Sequence, residues 1–138
     1  MITRSALSRF SLWSLARAPE KVTSMRYMFA NAFLVTPDTS GWDTSSVTTM
    51  FEMFYGAQAA NPDTINWDTS NVTRMDFMFA NATSANPDTS GWDTSQVTTM
   101  AGMFAGAPLA NPDTSGWNTS NLTNMTYMFS NTIFNTYV

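Results

Sequence analysis

The chain has 138 residues, six basic and ten acidic for a net charge of −4, and neither cysteine nor histidine. These absences remove disulfides, thiolate metal sites, the commonest general base and the commonest transition-metal ligand. The acidic balance suits a phosphate backbone poorly, so no nucleic-acid partner is expected, and with no apolar run of about 18 residues no membrane span is expected.

Residues 1–21, MITRSALSRFSLWSLARAPEK, stand apart from the rest of the chain. Five of the six basic residues lie within the first 26: Arg4, Arg9, Arg17, Lys21 and Arg26. Ile2, Ala6, Phe10 and Trp13 fall at helical spacing and share a face. Arg9 and the serines interrupt the apolar region, so no clear secretion signal is present; the Arg/Ser-rich character suits an organelle transit peptide somewhat better. The preferred reading is a helix that caps the open end of the first coil.

From residue 22 onward one phrase recurs with a 25-residue period. Its copies read PDTSGWDTSSVTTMFEMF from Pro37, PDTINWDTSNVTRMDFMF from Pro62, PDTSGWDTSQVTTMAGMF from Pro87 and PDTSGWNTSNLTNMTYMF from Pro112, after a headless VTSMRYMF at Val22. Such a period marks a stacked array, here residues 22–138 with coils starting near 22, 47, 72, 97 and 122.

Within a coil, Val47, Met50, Met53, Phe54 and Ala57 are spaced as one face of a helix. Thr48 and its equivalents stand at the N-cap position, and the column Asn31, Gly56, Asn81, Gly106, Asn131 supplies a left-handed C-terminal cap. A two-turn helix is therefore expected at about Thr49–Tyr55. The stretch from Pro37 is expected to run extended, turn at a second left-handed column (Gly41, Asn66, Gly91, Gly116), and pair with its copies as a parallel ladder. Trp42, Trp67, Trp92, Trp117, Met50, Met53, Phe54, Met75, Met78, Phe79, Met100, Met103 and Phe104 are the expected core. Methionines at fixed phases of the repeat read as core filling rather than as soft-metal ligands.

The phrase W-D-T-S-x-V-T-x-M-x-x-M-F-x-x-A resembles the BspA-like leucine-rich-repeat surface proteins in their 25-residue variety, over residues 22–138. The resemblance implies an α/β solenoid, a right-handed leucine-rich-repeat-like stack of about five coils, each with a short parallel strand and a short helix. It also implies a bacterial protein, secreted or at the cell surface, with a role in adhesion. Thr39, Thr64, Thr89 and Thr114 stand where that family has isoleucine, which predicts a thinner core beside the strand.

Residues common to every coil serve the coil, so function is sought where the rhythm breaks. Phe33, Leu34, Phe51, Glu52, Asp76, Phe77 and Leu109 vary between copies and form the possible binding surface. Asp38, Asp63, Asp88 and Asp113 form a stacked carboxylate column; calcium could bridge it, but satisfying turn amides within each coil is the favoured role. No catalytic residue and no cofactor is expected. The leading expectation is a noncatalytic module that binds protein or glycan at a cell surface. Self-assembly through the C-terminal coil edge is the alternative, and a calcium-stabilised module a weaker one.

Overall fold

The computed structural model describes residues 21–132. They form a stack of coils in which equivalent residues, 25 apart, lie side by side. Parallel bridges join Ser24 to Thr49, Thr49 to Arg74, Arg74 to Thr99 and Thr99 to Asn124. The expected capping helix falls on residues 1–20, outside the described residues.

The expected α/β solenoid, with a helix and a strand in each coil, does not form. Among the described residues there is no helix, and the bridges remain isolated rather than extending into a sheet. The backbone hydrogen bonds give the reason. Met50, Glu52, Phe54 and Gly56 donate their amides to Arg74, Asp76, Met78 and Ala80 of the next coil, at 2.8–3.0 Å. The residues between them turn locally: Met53, Tyr55 and Ala57 donate to the carbonyls of Met50, Glu52 and Phe54, at 2.9–3.2 Å. An α-helix would spend each of these amides inside its own coil, four residues back. Here alternate amides go to the neighbouring coil, so consecutive turns replace the helix and every donor keeps a partner. The apolar spacing nevertheless identifies the inward residues, since Val47, Met50, Met53, Phe54 and Ala57 are all fully buried.

This alternation needs two left-handed residues in each turn run. They are Tyr27 and Asn31, Glu52 and Gly56, Phe77 and Asn81, Gly102 and Gly106, and Tyr127 and Asn131, with φ between 52° and 68°. The Asn/Gly column is as expected. The column at Tyr27, Glu52, Phe77 and Tyr127 is not, because bulky side chains rarely occupy this region. The second expected left-handed column is absent: Gly41, Asn66, Gly91 and Gly116 do not have positive φ.

Two further expectations are corrected. Thr48 caps no helix; its amide and hydroxyl both donate to the Thr23 carbonyl of the preceding coil, at 2.8 and 3.1 Å. The Pro-Asp-Thr-Ser stretches form no backbone ladder. Their coils are tied by buried threonine hydroxyls instead. Thr39, Thr64 and Thr89 donate to the carbonyls of Asp63, Asp88 and Asp113 at 2.5, 2.5 and 2.9 Å. Thr44, Thr69 and Thr94 do the same to Asp68, Asp93 and Asn118 at 3.0, 2.9 and 3.1 Å. Threonine in place of isoleucine thus exchanges apolar volume for a tie between coils. Replacing Thr64 with valine keeps the shape and removes the tie to the Asp88 carbonyl, and should cost about 1 kcal/mol in urea denaturation.

The core is a set of stacked columns. Phe29, Phe54, Phe79, Phe104 and Phe129 lie ring over ring, with centroids 5.2, 5.4, 5.6 and 5.8 Å apart. Trp42, Trp67 and Trp92 stack at 6.2 and 6.3 Å. The successive rings from Phe54 to Phe129 and from Trp42 to Trp92 lie within 2–6° of parallel. Trp117 is only partly covered. In that last described coil Met125 is 57% exposed, whereas Met25, Met50, Met75 and Met100 are buried.

Candidate functional site

The two limbs of each coil carry different chemistry. On the tryptophan limb, aspartates close short turns. Asp38, Asp43 and Asp88 each accept from the hydroxyl and the amide of the serine two residues on, at 2.6–2.7 and 3.0–3.1 Å. Asp63 accepts from the Ile65 amide and Asp113 from the Ser115 amide. Asn118 keeps the same contact with the Ser120 amide without the charge. The carboxylate column therefore spends an oxygen of each member inside its own coil. Among the described residues no three acids are grouped to hold a metal ion.

Hydrogen bonds from Ser40, Ser45, Ser90 and Ser115 lower the carboxyls of Asp38, Asp43, Asp88 and Asp113 below their ordinary 3.8, and the Ser95 amide lowers Asp93. A folded-state value below the unfolded one adds stability above the unfolded value, and that stability disappears as pH falls through the folded one. Stability should therefore be level above about pH 5 and decline below about pH 4. Melting midpoints across that range check this; a series of aspartate-to-asparagine substitutions, following the natural example of Asn118, should flatten the decline.

On the bridged limb the side chains break the rhythm. Of the candidate surface residues, Phe51, Glu52, Asp76 and Phe77 come together there. Three neighbours that the repeat pattern does not single out join them: Arg26, Tyr27 and Arg74. The Tyr27 ring meets Phe51 edge-on at 5.2 Å. The Arg26 and Arg74 guanidiniums lie 5.3 and 4.7 Å from the Phe51 ring centre. Arg74 Nε pairs with Asp76 Oδ2 at 3.0 Å, and the Thr99 hydroxyl donates to the other Asp76 oxygen. That pairing is what lets Asp76 be buried. Burial pushes the Glu52 carboxyl up, and nearby Arg26 opposes the shift. Phe33, Leu34 and Leu109 belong to a separate column past the turn run and are well exposed, Leu34 at 90%.

The bridged limb also has a longer period. Large residues occupy the left-handed positions in alternate coils: Tyr27 with Asn31, Phe77 with Asn81, and Tyr127 with Asn131. The coils between carry Glu52 with Gly56 and Gly102 with Gly106. Packing explains the order. A β-carbon on Gly56 would come within 2.6 Å of Asn31 Oδ1, and one on Gly102 would strike the Phe77 ring. Asn31, Phe77 and Asn81 thus lean into space that Gly56, Gly102 and Gly106 of the next coil leave open. Comparing every second copy in the sequence reveals this 50-residue repeat; comparing adjacent copies hides it.

A protein-family model matches residues 23–137, and it describes a Mycoplasma protein of unknown function, DUF285. The chain belongs to the DUF285 family. No curated protein and no solved structure shows a significant match. The helix-and-strand coil implied by the leucine-rich-repeat resemblance is not the coil that this DUF285 chain adopts.

Proposed function

We propose that the chain is a noncatalytic binding module that holds an extended partner along the bridged limb of its coils. The carrying observation is that Phe51, Glu52, Asp76 and Phe77, four of the seven side chains singled out as departing from the 25-residue rhythm, come together on that limb, where Tyr27, Phe77 and Tyr127 stand exposed. Aromatic residues with arginine are the usual energetic anchors of an interface. The turn aspartates are occupied structurally, which supports a noncatalytic role. The resemblance to BspA-like proteins supports placement at a cell surface.

The test is binding of labelled protein to intact cells. A triple variant, Tyr27→Asn, Phe77→Asn and Tyr127→Asn, keeps a residue tolerant of positive φ at each site. It should bind at least about tenfold more weakly while melting normally. Equal binding by parent and variant sinks the proposal.

A further inference from the structure

We infer that Asn118, with Asn124 as a second acceptor, is a modification site that takes an N-linked oligosaccharide on the folded surface. The inference goes beyond the binding face and rests on other residues.

The sequence holds five Asn-x-Ser/Thr triplets, at Asn71, Asn81, Asn118, Asn121 and Asn124. In such a triplet the asparagine nitrogen is the nucleophile, and the hydroxyl two residues on is what the transferase grips. A folded acceptor must leave both groups free.

The fold divides the five. At Asn71 and Asn121 both groups are spent on ties between coils. Their side-chain amides donate to the Ser45 and Ser95 carbonyls at 2.9 and 2.6 Å. The Thr73 and Thr123 hydroxyls donate to the Thr48 and Thr98 carbonyls at 3.1 and 2.9 Å. At Asn81 the Thr83 hydroxyl donates to the Gln58 carbonyl at 3.3 Å. Asn118 and Asn124 differ. The side-chain oxygen of each accepts the amide two residues on, from Ser120 and Thr126, at 3.0 Å. That turn uses the oxygen alone. Among the described residues neither side-chain nitrogen makes a hydrogen bond, nor does the Ser120 or Thr126 hydroxyl, and all four residues are exposed.

The other coils show what the turn itself requires. Asp43, Asp68 and Asp93 fill the place of Asn118 and accept from the amides of Ser45, Ser70 and Ser95 at 2.9–3.0 Å. Asp43 and Asp68 also hold the hydroxyls of Ser45 and Ser70, at 2.6 Å. The turn therefore asks only for an acceptor oxygen. Asparagine adds what the turn does not use: an amide nitrogen, beside a serine hydroxyl no longer held by a carboxylate. At Asn124 two departures coincide. Ser24, Thr49, Arg74 and Thr99 fill its place in the other coils, and Arg26, Phe51, Asp76 and Ala101 fill that of Thr126. One coil of the five has asparagine at the first place and a hydroxyl at the second.

The donor is a polyprenyl-pyrophosphate-linked oligosaccharide. Asn118 Nδ2 attacks C1 of its reducing-end sugar and an N–C1 bond forms. The C1–O bond to pyrophosphate breaks, and the polyprenyl pyrophosphate leaves with the electron pair. The amide gives one proton to a base of the transferase. Asn118 Oδ1 takes no part, so the turn to Ser120 survives. Asn118 belongs to the tryptophan limb, so its glycan leaves Tyr27 and Phe77 open.

The experiment incubates the purified, folded chain with an oligosaccharyltransferase and its polyprenyl-pyrophosphate-linked oligosaccharide. An unstructured Asn-x-Thr peptide in the same reaction proves the transferase active, and mass spectrometry maps the glycopeptides. Transfer is expected at Asn118 and Asn124, with little at Asn71, Asn81 and Asn121. Asn118→Asp restores the residue of three other coils and should lose that glycan at an unchanged melting temperature. Asn124→Thr, following Thr49, should lose the other. A chain unmodified at Asn118 while the peptide is modified overturns the inference. Equal transfer at all five triplets overturns it too, since the motif and not the fold would then select the acceptor. Transfer at Asn118 without transfer at Asn124 removes the second acceptor alone.

Discussion

Replacing Phe79 with alanine is expected to cost about 3–5 kcal/mol. The ring is fully buried and stacked between Phe54 and Phe104, at 5.4 and 5.6 Å. A stack of coils has no second core to fall back on: each coil meets only its neighbours, so the central ring couples one half of the array to the other. Its surroundings limit how far the cavity can close. Met75, Met78, Met100 and Met103 are themselves buried at fixed positions, although methionine's flexibility should bring the cost toward the lower end of the range. Phe129 is the control. It is only partly buried at the last described coil, so Phe129→Ala should cost clearly less. Urea denaturation of both variants decides the matter. A Phe79 variant no less stable than the Phe129 variant would show that coupling between coils does not run through the ring column.

What the sequence disclosed was the inward set; what it concealed was the backbone that delivers it. Val47, Met50, Met53, Phe54 and Ala57 point inward whether the chain forms a helix or a run of turns, so their spacing could not distinguish the two. The deciding information is the alternate donation of amides to the next coil, a contact 24 residues away in sequence. Asn31 and Gly56 advertise a left-handed backbone because those residues tolerate it. Tyr27, Glu52 and Phe77 give no such sign; the bridging amides impose positive φ on them. Thr48 stands where a cap hydroxyl would accept from an amide of its own coil, but its hydroxyl donates to the Thr23 carbonyl of another coil. In the candidate site, Phe51 and Asp76 were visible as breaks in the repeat. Arg26 and Arg74 are legible in the sequence only as charges, since nothing in the linear order shows that a guanidinium in one coil covers a ring in the next.

Replacing Gly106 with alanine is expected to cost about 2–3 kcal/mol, and removing the Asn81 side chain should recover about 1 kcal/mol of it. Two causes act together. Gly106 has φ +68°, which strains any residue with a β-carbon, and the added carbon would press on Asn81 Oδ1 and lie 3.4 Å from Asn81 Cγ. The Asn81→Gly background relieves the contact and leaves the strain, so a double-mutant cycle in urea separates the two. Gly41→Ala supplies the baseline. Its φ is not positive and an added β-carbon meets nothing within 4 Å, so it should be neutral or slightly stabilising, by up to about 1 kcal/mol. Equal losses at Gly41 and Gly106 would show that large and small side chains do not alternate for packing reasons. A cycle with the expected coupling ties stability to the binding face. Because Gly102 and Gly106 yield their space, Phe77 and Asn81 can lean along the stack. The packing that keeps these adjacent coils from colliding is then also what directs Phe77 and Asn81 on the exposed limb.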